Sequence, residues 1–110
     1  MTNRAKLAPL RDLSQLILQT KLMSLEKASR ARQHCLDNLA ELDRPNPDAG
    51  LNPIVAGEVA MRYALWADQR RSDLNVILAK RTAEWIEARD AAAKSFGRDQ
   101  ALSGLSQRKI

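Results

Sequence analysis

Arg44-Pro45-Asn46-Pro47-Asp48-Ala49-Gly50-Leu51-Asn52-Pro53 is the stretch on which the fold turns. Three prolines and a glycine fall within nine residues, a composition that cannot continue a helix. Its last two residues read as a helix start, with Asn52 as the N-cap and Pro53 in the first helical position, where no backbone donor is needed. On both sides the chain is built for helices. Of 110 residues 17 are Ala and 16 Leu, Gly and Pro number four each, and aromatics make up 4%. A sandwich or barrel would need β-branched and aromatic strands with many turns.

Apolar residues before the break stand at Leu10, Leu13, Ile17, Leu18, Leu22, Leu25, Ala28, Cys35, Leu36, Leu39 and Leu42. Steps of three and four dominate, which predicts a helix over residues 10–43. After the break, Val55, Val59, Trp66, Leu74, Ile77, Trp85, Ala88, Ala92 and Phe96 predict a second helix over residues 53–96. Several of these fall eleven apart, as in Trp66, Ile77 and Ala88, a period that keeps a stripe nearly straight along a helix. Residues 44–52 form the turn, and 97–110 a basic C-terminal tail or short helix, with Gly97 either a cap or an interior position. Glu26/Arg30, Glu58/Arg62 and Asp90/Lys94 are acid-to-base pairs four apart that suit outer faces. The expected fold is all-α, one domain of two long helices forming an antiparallel coiled-coil hairpin.

A turn centred near Asp48 sets a first register. It places Leu42 against Val55, Leu39 near Val59, Ala31 opposite Trp66 and Leu13 near Trp85. In that register the second helix outruns the first, leaving Phe96, Leu102 and Leu105 without an intrachain partner. Arg32, Arg70 and Arg81 fall on or beside the seam, where their stems pack and their heads reach solvent.

The formal charge of +5 sits at the two ends. Between Asp12 and Gly97 there are 12 Lys and Arg against 12 Asp and Glu. A neutral shaft without aromatics interleaved among basic residues speaks against nucleic acid as partner. No apolar run approaches the roughly 18 residues of a membrane span, and no signal-peptide core precedes the first helix, so membrane insertion is not expected. The single cysteine, Cys35, cannot close an internal disulfide, which makes a reducing cytoplasm the expected location.

No constellation for catalysis, cofactor or metal stands out, and a non-enzymatic chain is expected. His34 and its neighbour Cys35 point about 100° apart on a helix and do not converge on a metal. Lys80-Arg81-Thr82 resembles the tail of a phosphate loop but lacks the glycines that form the cradle. Glu84, Glu87 and Asp90 read as a solvated charged face, since acid–base work needs burial. Trp66 and Trp85 read as seam residues. Tyr63 lies off the stripe's centre, open to partial burial or to a partner. Leu65 and Leu78 lie off the main stripe and suggest a second apolar edge.

Trp66-Ala67-Asp68-Gln69-Arg70-Arg71, followed by Arg89-Asp90-Ala91-Ala92-Ala93-Lys94-Ser95-Phe96-Gly97-Arg98-Asp99-Gln100-Ala101-Leu102, resembles the C-terminal helix of the FliJ/YscO family. These are small coiled-coil proteins of flagellar and type III secretion export. The resemblance covers about half of the chain and carries over no individual residue. It implies a stalk-like adaptor whose joined termini enter an export ATPase ring while the remainder engages the export gate or export chaperones. Charge and unpartnered apolar residues together mark Arg4, Lys6, Arg11, Tyr63, Phe96, Arg98, Leu102, Leu105, Arg108 and Lys109 as candidate partner-binding residues. A self-assembling coiled coil, a homo-oligomer burying the overhang, is the alternative, and a nucleic-acid-binding hairpin the other.

Overall fold

The computed structural model describes residues 3–44, 50 and 52–108. It consists of two helices, α1 (Asn3–Leu42) and α2 (Pro53–Gln107). The chain is an all-α helical hairpin, and no strand occurs among the described residues. Most of the proline-rich turn, residues 45–49 and 51, lies outside the described residues. Gly50 has φ +87°, a left-handed conformation that suits glycine.

Both helices run further than their apolar stripes suggest. α1 starts at Asn3 and carries Pro9 inside its second turn. α2 runs through Gly97 and Gly104 to Gln107, so the tail expected from 97 onward is helical nearly to the end. The N-cap of α2 forms as the sequence indicates. The Ile54 amide donates to Asn52 Oδ1 at 2.9 Å, and the Ala56 amide to the Asn52 carbonyl at 2.7 Å.

The chain divides into two compact units, each made of a piece of both helices. The central unit is Ala31–Thr82 and the terminal unit joins Met1–Arg30 to Ala83–Ile110. In the central unit Cys35, Leu42, Ala67 and Leu74 form the buried core, with Leu39, Tyr63 and Leu78 packed against it. The Cys35 thiol lies 3.3 Å from the Leu74 carbonyl as its donor. Arg32 Nε donates to Thr82 Oγ1 at 3.2 Å, and Arg71 pairs with Asp43 at 3.3 Å. The two helix segments are therefore antiparallel within this unit. The terminal unit is antiparallel too. There Ser14 Oγ donates to Asp99 Oδ1 at 2.7 Å, and Arg11 to Ser106 Oγ at 3.3 Å.

These pairs correct the first register by about four to five helical turns. Leu42 packs among Ala67 and its neighbours rather than against Val55. Leu13, next to Ser14, lies near Asp99 rather than Trp85. The expected overhang also changes place. Asp99 and Ser106 have partners on α1, whereas Ile54, Val55, Val59 and Met61 at the start of α2 are exposed. The ten residues between the helices, 43–52, can span up to about 35 Å. A connection of that reach lets α2 begin well beyond the end of α1.

The reason for the shift is the period of the seam. On α2 the buried and half-buried positions of the central unit include Ala67, Arg71, Leu74, Leu78 and Arg81. In the terminal unit they include Trp85, Ala88, Ala92, Ser95, Asp99, Leu102 and Ser106. Both series alternate steps of four and three, a 3.5-residue coiled-coil repeat and not an eleven-residue one. On α1, Leu7, Arg11, Ser14, Leu18, Leu25 and Ala28, then Arg32, Cys35, Leu39 and Leu42, keep the same alternation apart from one seven-residue step between Leu18 and Leu25, where Lys21 and Leu22 are exposed. Small residues take the tightest seam positions, with Ala67, Ala92 and Ser95 buried and Ala67 packed among Leu39, Leu42, Leu74 and Leu78. Trp66 is consequently turned outward, 56% exposed, and corrects the expectation that it packs in the seam. Leu78 is half-buried against the core, whereas Leu65 is exposed.

Candidate protein-interaction surface

The apolar stripe that first read as the seam of α1 is instead one flank of it. Leu10, Leu13 and Ile17 each sit to the side of the seam positions Arg11, Ser14 and Leu18 and remain exposed. Together with Ser14 they meet Ser95, Arg98 and Leu102 of α2 around a groove of about 200 Å³. Its walls are leucine and isoleucine, its floor is made by two serines, and Arg98 is its one charged residue. Such a surface can take an apolar side chain and place a carboxylate at its rim.

The floor is held by the polar seam. Ser14 is fixed by its bond to Asp99, one step along α2 from Arg98. Arg11 stretches across to Ser106, and its Nε is enclosed without a hydrogen-bond partner. This arginine is thus a seam residue rather than a free cation on the surface. A second groove of the terminal unit, about 480 Å³, is lined by Leu22, Leu25, Glu26, Ser29, Arg30, Trp85 and Arg89. There the Arg89 guanidinium lies 5.2 Å from the centre of the Trp85 ring, and Arg30 pairs with Glu26.

The candidate residues fall in different places. Leu102 is half-buried and, with Arg98, helps form the first groove. Lys6, Phe96, Leu105 and Arg108 are exposed on the terminal unit. Tyr63 belongs to the other unit, half-buried against its core and tilted against Trp66 with ring centres 5.7 Å apart. The side chain of Arg4 and all of Lys109 lie outside the described residues. Sequence reasoning missed Leu10, Leu13 and Ile17 as surface residues because it reads them as seam, and it gives no sign of the buried Ser95 beside them.

Among the described residues no group of three or more His, Cys, Asp or Glu side chains could hold a metal ion. His34 is exposed, with Nε2 3.4 Å from Asn38 Nδ2, while Cys35 is buried. Among the described residues no helix is long and apolar enough to cross a membrane. Comparison with family models, with curated proteins and with solved structures gives no match.

Proposed function

We propose that the chain is a non-enzymatic coiled-coil adaptor that seats a protein partner on its terminal unit. The partner class is an export ATPase or an export-gate component of flagellar or type III protein secretion, acting in the cytoplasm. The observation that carries this reading is the groove of Leu10, Leu13, Ile17 and Leu102 with Arg98 as its single charge. An apolar pocket rimmed by one arginine suits a hydrophobic anchor followed by an acidic residue. The resemblance of the α2 sequence to the FliJ/YscO family supplies the choice of partner.

The test is titration calorimetry of the full chain against a purified flagellar or type III export ATPase. Binding is expected, weakened tenfold or more by Leu13→Asp and by Arg98→Glu, and unchanged by Glu58→Gln in the other unit. Absence of binding would overturn the partner. Binding that ignores both groove substitutions would overturn the surface.

A further inference from the structure

Four of the most exposed large apolar side chains lie on one outer face of α2 in the central unit. They are Ile54 (76%), Met61 (68%), Leu65 (67%) and Val76 (70%). None of them serves the seam. Ile54, Leu65 and Val76 are spaced eleven residues apart. At about 100° per residue this spacing returns each to within roughly 20° of the last, so the three form a nearly straight ridge. Met61, four residues before Leu65, sits beside it.

The accessible surface asks for a large partner area. The chain exposes 8639 Å², where a self-contained globular chain of its 12.3 kDa exposes about 6,100 Å². No large side chain among the described residues is fully buried. The surplus of roughly 2,500 Å² per chain stands at the upper end of the about 1,000–2,500 Å² that each subunit of an obligate dimer buries, and exceeds the ~800 Å² that each partner gives to a standard interface.

We infer that this ridge is where a second copy of the chain packs, with the two α2 helices antiparallel about a twofold axis at Leu65. The spacing is symmetric about that residue, so Ile54 of one copy falls opposite Val76 of the other, twice. The same alignment sets Arg62 opposite Asp68 of the second copy and Glu58 opposite Ser72, and it opposes no like charges between residues 54 and 76. A parallel pairing in register would set each of these charges against its own kind. Next to the ridge, Asp68, Arg71, Ser72, Asn75, Val76 and Ala79 line an open groove that can receive side chains of the second copy. The inference stands apart from the proposed adaptor role, because it uses neither the terminal unit nor its groove.

Sedimentation equilibrium of the full chain at tens of micromolar is the test. A dimer is expected for the unmodified chain and a monomer for Leu65→Asp, both with the same helical circular dichroism. Air oxidation of Leu65→Cys should give a disulfide-linked dimer, because a residue on the axis meets its own copy. Met23→Cys, equally exposed on α1, should not cross-link. A monomeric unmodified chain would overturn the inference. So would a Leu65→Asp dimer, or cross-linking of Met23→Cys in preference to Leu65→Cys.

Discussion

Ser14 on α1 donates its hydroxyl to the Asp99 carboxylate on α2 at 2.7 Å, a bond between residues 85 positions apart in the chain. It joins two seam positions, and it fixes which turn of α2 faces which turn of α1. A polar pair at a seam position specifies register because any slip strands both groups without partners. Ser14→Ala should lower the unfolding free energy by about 1–2 kcal/mol, since it leaves the carboxylate short of a charge-assisted bond. Gln15→Ala, one residue on and exposed, should change it by less than about 0.5 kcal/mol. Urea unfolding followed by circular dichroism reads both.

Arg11 occupies the neighbouring seam position with an enclosed Nε that has no partner. An apolar side chain of similar length removes that desolvated donor and keeps the packing of the stem. Arg11→Met should therefore leave stability unchanged or raise it by about 1 kcal/mol. A thermal melt showing a lower Tm would contradict the seam placement of this side chain.

Leu74 and Trp66 reverse the order that their sizes suggest. Leu74 is 3% exposed in the core of the central unit, while Trp66 is turned outward. Leu74→Ala should cost about 2–4 kcal/mol, the usual range for a buried leucine whose site cannot collapse fully. Trp66→Ala should cost less, about 1 kcal/mol or below, mostly through its contact with Tyr63. Equilibrium unfolding of the two variants side by side gives the comparison.

The helices, the break between them and the N-cap at Asn52 are legible in the sequence, because each depends on residues close together in the chain. The register is not. Arg11, Ser14, Arg71, Arg81, Asp99 and Ser106 are polar members of the seam, and they interrupt the 3.5-residue repeat where an apolar pattern would display it. Leu10, Leu13, Ile17 and Trp66 meanwhile draw a competing stripe along the flanks. Periodicity follows apolar side chains, whereas the seam is chosen by how small and large residues interlock across two helices. The groove was hidden by the same confusion. Its leucines were visible, but they were assigned inward, and only the corrected register places Arg98 and Leu102 beside them.

The start of α2 gives a local test. Ile54, Val55, Val59 and Met61 are exposed there in the single chain, so within it these turns rely on their own hydrogen bonds and on the Asn52 cap. Asn52→Ala should cost about 1 kcal/mol, which raises local amide exchange about fivefold. Hydrogen exchange should rise within Ile54–Val59 and stay unchanged at Leu74, with little shift in global unfolding.

Disulfide trapping tests the register on which the seam and the groove both rest. In a chain carrying Cys35→Ala, Ser14→Cys with Asp99→Cys should form an intrachain disulfide under mild oxidation, seen as a faster-migrating monomer. Leu13→Cys with Trp85→Cys, the pair that the turn-centred register brings together, should stay reduced. Trapping of the second pair, with the first left reduced, would contradict the account.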